Sequence, residues 1–332
     1  MLPSDIARAT GHSEQISAIT AKTLDRVHPT LRDPISAALS APDQAVLAVI
    51  TDVIGSSYRR PGTLMTLFAD GSYAGSLTNG CIEGDLALHA VKALENQQVE
   101  RLRYGAGSPF FDIRLPCGGA LEISLFPSPD AKVLAEVQRC RALRNFFGLR
   151  LSSEAGLLSL EAFGPTGWIG ADFLIGMRPD IRLIILGEGS EAALFAMLAR
   201  SAGYPYVVAS PSPTTVAAVQ QAGGTAQLLS GDDIPSDILL DSRSAVVTFF
   251  HDHGRETRLL LEALRSDAFY IGAQGSRKVA EQRQETLRQI GATPAELARL
   301  VAPIGLIPST RDARTLAISV LAEVIGKGEQ QG

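Results

Sequence analysis

The stretch from Arg182 to Ser210, RLIILGEGSEAALFAMLARSAGYPYVVAS, constrains the fold more than any other part of the chain. An apolar run ends in Gly187-Glu188-Gly189-Ser190-Glu191-Ala192, a helical segment follows, and a second apolar run closes the unit. Strand, glycine turn, helix and strand in that order imply a parallel βαβ unit. The glycine turn has the G-x-G-x-x-A form, whose backbone N–H groups and helix dipole can hold a pyrophosphate. The second strand, however, ends in Ala209-Ser210-Pro211, where an NAD binder offers Asp or Glu to the ribose. No Arg stands there for an NADP phosphate, so NAD(P) is not the expected ligand. The alternative is a turn kept for packing. Further on, AVVTFF, AFYIG and several helical segments extend the same alternation. The expected fold class is α/β, with a C-terminal Rossmann-like, doubly wound parallel sheet over 180–326 and a tail at 327–332.

A chain of 332 residues has room for a second domain. Residues 1–30 read as a peripheral segment, and 31–165 as a smaller N-terminal α+β domain. There AVLAVITDVI (45–54) reads as a buried strand, and LMTLFAD and SYAGSL flank an Asp70-Gly71 hairpin turn. Ile82, Leu86, Ala90 and Leu94 give one helix its apolar side. VERLRY and ALEISLFP read as further strands, and DAKVLAEVQRCRALRNFF as a helix carrying Cys140. Residues 166–179, beginning in the GPTGW stretch, read as a linker. Thr293 to Glu296 (TPAE) spells a capping box with Pro at the first helical position.

Composition removes several classes of function. Net charge is −5 with no basic stripe, so the footprint of a nucleic-acid binder is missing. Apolar runs are too short to span a bilayer, which predicts no membrane partner. The N-terminus lacks the pattern of a secretory signal. Three cysteines, Cys81, Cys117 and Cys140, are too few and too odd for a disulfide framework and suit a reducing cytoplasm.

Four places carry candidate chemistry. Cys81 follows Gly80 in GSLTNGCIEGD, just before a helix with Glu83 and Asp85 in its first turn. A helix N-terminus lowers a thiol pKa, whereas those two acids oppose this. Cys117 precedes Gly118 and Gly119, which let another group approach the backbone closely. For both cysteines the plain alternative is a small residue in a turn, and four zinc ligands at recognisable spacing are lacking. His251, Asp252 and His253 follow a strand, at the sheet end where doubly wound folds bind ligands. They could move protons or bind a metal. Gly272, Gly275, Ser276, Arg277 and Lys278 form a second strand-to-helix turn that fits an anion, or a tight turn with solvated charges.

Taken together these segments resemble the XdhC/CoxI family over about 40–326. The resemblance rests on GSSYRRPG (55–62), AGSLTNGCIEGDL, LPCGGALEI, LGEGSEAAL, FFHDHGRE, FYIGAQGSRKV, and APIGL with LAISVLAEV, in the family's order. It implies a cytoplasmic chaperone that binds the molybdenum cofactor, a molybdopterin with or without a nucleotide. Such a protein protects the cofactor during sulfuration and assists insertion into a xanthine dehydrogenase or aldehyde oxidase-type enzyme. The implied partners are that apo-molybdoenzyme, a cysteine desulfurase and a second copy of the chain as a homodimer. Soft thiolates suit a soft metal, so Cys81 or Cys117 would face molybdenum. Arg59 and Arg60, Gly80, Glu83, Gly118 and Gly119 would surround the cofactor. Gly187, Gly189, Gly272, Gly275, Ser276 and Arg277 would meet its phosphate or nucleotide. Three places depart from the family pattern: Ser190 where His is common, Ser210 where Asp is common, and Ile307-Pro308-Ser309-Thr310 after APIGL. They count against nicotinamide use. An NAD(P)-dependent or sulfur-transfer oxidoreductase using His251, Asp252 and His253 as acid/base groups, and a scaffold without a site, are the competing readings.

Overall fold

The computed structural model describes residues 29–106, 108, 118–251 and 253–331. They form two compact units, and the chain passes from one to the other at Pro179–Asp180. Among the described residues no helix is long and apolar enough to cross a membrane.

In the N-terminal unit, β1 (Ala45–Ile54), β2 (Leu64–Phe68), β3 (Tyr73–Gly75), β4 (Glu100–Gly105) and β5 (Ala120–Pro127) form one antiparallel sheet in the order β3-β2-β1-β5-β4. The central strand β1 is apolar on both sides because both sides are covered. Val46, Ala48 and Ile50 pack with Leu86 and Ala90 of α2 (Glu83–Asn96). Ala45, Leu47 and Val49 pack on the opposite face with α1 (Pro34–Ser40) and α3 (Ala131–Ala142).

That second core is closed by a sheet that the sequence reading did not anticipate. β6 (Phe147–Ser152), β7 (Leu157–Glu161), β8 (Gly167–Ile169) and β9 (Asp172–Met177) assemble in the order β7-β6-β9-β8. The expected linker at 166–179 is therefore corrected: β9 pairs with β6 along its whole length, and Phe173 and Ile175 are buried. Its apolar run is short and follows a Gly/Pro-rich stretch, which imitates a linker. The helix expected through Phe147 stops at Ala142, and Arg144 at φ +56° turns the chain into β6.

In the C-terminal unit, β10 (Arg182–Gly187), β11 (Tyr206–Ser210), β12 (Ala226–Leu228), β13 (Ser244–Phe249), β14 (Tyr270–Ala273) and β15 (Leu300–Val301) form a wholly parallel sheet. Their order, β12-β11-β10-β13-β14-β15, reverses direction between β10 and β13, as in a Rossmann domain. One face carries α4 (Gly189–Ser201), α5 (Pro213–Gln221) and α9 (Ala313–Gln330). The other carries α6 (His253–Leu264), α7 (Arg277–Gln289) and α8 (Pro294–Leu297). Both bonds of the capping box are made at Thr293 and Glu296.

An ion pair lies under the second face. Arg283 of α7 donates from Nε and Nη2 to Glu256 Oε1 of α6 at 2.8 and 2.6 Å, and neither side chain is more than 1% exposed. Glu256 Oε2 accepts from the Thr248 hydroxyl at 3.0 Å, and Arg283 Nη2 also donates to the Gln274 carbonyl at 2.6 Å. One pair thus fixes β13, α6, α7 and the turn after β14. Removing one partner of such a pair leaves a buried charge and costs about 3–5 kcal/mol, whereas replacing both by apolar groups costs far less. Glu256→Met should lower the free energy of unfolding by about that amount, and Glu256→Met/Arg283→Met should recover most of it, as measured by urea denaturation.

Candidate functional site

The register of the N-terminal sheet gathers three loops at one end. Ile54 of β1 and Gly105 of β4 both pair with Ala120, where β5 begins; Leu64 opens β2 and Gly75 closes β3 at the same edge. The segments 55–63, 76–82 and 106–119 therefore leave from one edge. They carry Arg59 and Arg60, Cys81, and Gly118 and Gly119 respectively.

The cysteine loop is organised by Glu83, the first residue of α2. Its Oε1 accepts from the Ser76 hydroxyl at 2.9 Å, from the Thr78 N–H at 2.8 Å and from the Leu77 N–H at 3.3 Å. Its Oε2 accepts from the Thr78 hydroxyl at 2.7 Å, from the Gly80 N–H at 2.8 Å and from the Ile82 N–H at 3.2 Å. Six donors fill the acceptor sites of one carboxylate. Burial opposes ionisation of this group, but the Thr78 and Ser76 hydrogen bonds outweigh it and lower the pKa to about 2. Glu83, expected among the cofactor ligands, thus spends its carboxylate on its own loop. Asp85 is likewise engaged, accepting from the buried Tyr104 hydroxyl at 2.6 Å. Left facing outward is Cys81, an exposed free thiol.

The glycines divide by environment. A Cβ on Gly119 would stand 2.7 Å from both the Ile54 and Ser56 carbonyl oxygens, and one on Gly105 would collide with the Gly119 carbonyl. Gly119 therefore joins the ends of β1, β4 and β5 by close approach. Gly118 is exposed with open space around it, as is Gly80. Arg59 is half-buried, and its Nε has no hydrogen-bond partner among the described residues. Arg60 is exposed. Cys117 lies outside the described residues.

At the carboxyl end of the parallel sheet the dinucleotide-type turn is turned inward. The Gly187 position is closed against Phe249, and the Gly189 N–H donates to Thr215 Oγ1 of α5 at 3.0 Å. Glu191, in the first turn of α4, accepts from the Ser190 hydroxyl at 3.0 Å and stands 3.9 Å from His251 Nε2. A carboxylate and a hydroxyl thus occupy the surroundings of the donors a pyrophosphate would use. Ser210, where the ribose acid would be, is wholly buried and its hydroxyl accepts from the Ser212 N–H at 3.1 Å. His251 is exposed, Asp252 lies outside the described residues, and His253 opens α6. Gly272 is buried in β14, where a Cβ would meet Tyr270 and Ile304. Gly275 is half-buried, Ser276 caps α7 by accepting the Val279 N–H, and Arg277 and Lys278 are exposed on the first turn. Among the described residues no group of three or more His, Cys, Asp or Glu side chains is placed to hold a metal ion.

Sequence reasoning missed Thr215, Glu191 and the Glu256–Arg283 pair. Glu256 and Arg283 fall at helix positions whose neighbours four residues on are buried leucines, Leu260 and Leu287. A charge in an apolar helical stripe was the available signal.

A family model described as the XdhC Rossmann domain matches residues 183–324, and one described as the XdhC and CoxI family matches residues 38–105. The chain is 34% identical over 288 residues to the molybdenum cofactor insertion chaperone PaoD of Escherichia coli (strain K12), covering 86% of this chain and 84% of that protein. It is 23% identical to a probable xanthine dehydrogenase subunit from Bacillus subtilis (strain 168), covering 88% of this chain and 95% of that protein. A crystal structure described as a xanthine dehydrogenase from Bacillus halodurans shares the fold, with TM-score 0.71 at 23% identity over 90% of this chain and 97% of that one.

The Glu83 carboxylate sets an acid limit on the cysteine loop. Its pKa is depressed, so the stabilisation is complete above the unfolded value near 4.5 and is lost as pH falls toward 2. Glu83→Gln should destabilise the protein by about 1–3 kcal/mol at neutral pH, because one acceptor oxygen becomes a donor facing donors. The difference in Tm between parent and variant should shrink as pH falls from about 4.5 to 2, measured by calorimetry.

Proposed function

The chain belongs to the XdhC and CoxI family, and from that premise we propose that it carries the molybdenum cofactor as cargo and delivers it to an apo-molybdoenzyme of the xanthine dehydrogenase type. The observation that supports this most directly is the braced thiol loop, which presents Cys81 outward from the sheet end that also bears Arg59, Arg60 and Gly118. Molybdenum held by dithiolene sulfurs is a soft centre, and a thiolate is a soft donor. Cys81, with Cys117 as the second candidate, faces the metal. Arg59 and Arg60 meet phosphate oxygens, a task suited to guanidinium. Because Glu83 holds the loop in advance, little ordering is left for the cargo to drive. Exposed Arg277 and Lys278 are the cations at the second glycine turn available to a phosphate or nucleotide.

In this reading the chain is a cytoplasmic, non-catalytic chaperone that works as a homodimer. It receives sulfur chemistry from a cysteine desulfurase while the cofactor is held. Nicotinamide has no part, because the Gly189 N–H and the Ser210 hydroxyl are already engaged within the fold. A second reading, an oxidoreductase-like enzyme, draws on the His251–Glu191 pair at the sheet's reversal point.

Anaerobic purification from cells making the cofactor, followed by oxidative release and pterin assay, should give bound pterin approaching one per chain. Well-folded protein without pterin would overturn the carrier reading. Cys81→Ser and Cys117→Ser should each lower retention and delivery, and variants that deliver like the parent would remove the thiol role. NAD(H) and NADP(H) should leave Tm unchanged, since a ligand of the native state raises it; a clear rise would favour the enzyme.

A further inference from the structure

The loop between β1 and β2 presents an aromatic ring that the cofactor-carrier reading has not used. Tyr58 is 81% exposed, more than any other large hydrophobic side chain among the described residues. The loop around it is tied down. The Gly62 N–H donates to the Ile50 carbonyl at 2.8 Å, and the Thr63 hydroxyl and N–H donate to the Arg60 carbonyl at 2.8 and 3.2 Å. The Arg59 N–H donates to Ser57 Oγ at 3.2 Å. At the other end Gly55, at φ +80°, lies against Gly119. Tyr58 is thus held out by an anchored loop.

The Arg59 guanidinium carbon lies 5.1 Å from the Tyr58 ring centroid, a cation–π contact. The same side chain has the buried Nε without a partner among the described residues. A ring offered to solvent beside a guanidinium suits a flat ligand that also carries negative charge. The sequence neighbours, Ser56, Ser57, Arg59 and Arg60, are polar and supply hydroxyl and guanidinium donors around the ring.

We propose that Tyr58 is a stacking platform for a planar, nitrogen-rich heteroaromatic ring whose phosphate is met by Arg59. This rests on the carrier reading and assigns the cargo's ring to a specific side chain. Two parts of such a cargo have this chemistry, the pterin and, where one is present, the nucleotide base. Aromatic stacking tolerates any such ring, so the ligand's identity is read from which probe depends on Tyr58.

The test uses the full chain purified from cells unable to make the cofactor. It is titrated with 6-hydroxymethylpterin, its monophosphate, and cytidine and guanosine monophosphates, by fluorescence and calorimetry. Tyr58→Leu should weaken binding of the matching phosphorylated probe by about tenfold, and Tyr58→Phe should bind within about twofold of the parent. Arg59→Gln should weaken the phosphorylated pterin and spare the unphosphorylated one. Loss confined to the pterins assigns the ring to the pterin, and loss confined to the nucleotides assigns it to the base. An exposed position should leave Tm unchanged in the Tyr58 variants. Equal affinities of parent and Tyr58→Leu for every probe, or no binding of any probe by the parent, would overturn the proposal. So would a Tyr58→Leu protein that binds all probes normally but fails only in transfer to the apo-enzyme, which would make Tyr58 a partner contact. Pterin co-purified with the parent from cofactor-producing cells is scored separately, so the carrier reading can fail while the affinities still decide the role of Tyr58.

Discussion

Loops at the ends of strands contain backbone N–H and C=O groups that no ladder or helix claims, and a folded chain must satisfy them where they are buried. Here side chains fixed in neighbouring elements do so. Glu83 takes four N–H groups of the cysteine loop. Thr215 takes that of Gly189, and Arg283 donates to the carbonyl of Gln274. Glu323 of α9 accepts from the Gly305 N–H at 2.7 Å and from the Tyr270 hydroxyl at 2.8 Å, and Ser319 accepts from the Ile307 N–H at 2.7 Å. The cysteine loop and the turns at Gly189, Gln274 and Gly305 owe their shape to these few side chains.

This explains what could be read from the residues alone. Elements whose burial is periodic were legible: β1 with apolar side chains on both faces, the β2–β3 hairpin at Asp70-Gly71, α2 and the alternating C-terminal unit. The four-stranded sheet was not, because β8 is three residues long and β9 has a short apolar core beside glycines. In the candidate site, the sequence pointed to loops but could not show the allocation of their atoms. Glu83 and Ser276 carry the chemistry of ligand contacts, and only coordinates reveal that the chain itself uses them. Gly119 and Gly272, expected beside the cofactor, are points of tight packing within the fold, the close approach at Gly119 being made by the chain's own carbonyls. Tyr58 stands within GSSYRRPG but was not singled out, because a loop sequence does not show which side its ring faces.

The two units treat the same motif style differently. In the Rossmann domain the glycine turn is sealed by hydroxyl and carboxylate groups from within, so the fold persists where the usual ligand contacts do not. In the N-terminal unit the acids turn inward and a thiol, an arginine and an aromatic ring face out. That distribution is the reason the carrier reading is placed on the N-terminal loops, and it accords with the absence of an acid at Ser210.

β1 supplies a wall to two hydrophobic cores at once, with Val46, Ala48 and Ile50 on one side and Ala45, Leu47 and Val49 on the other. Neither core can melt while the other keeps its lining. A region that would otherwise fray as separate layers is thereby bound into one cooperative block. The loops at its end are then carried on one framework, and what loosens that framework loosens all of them together.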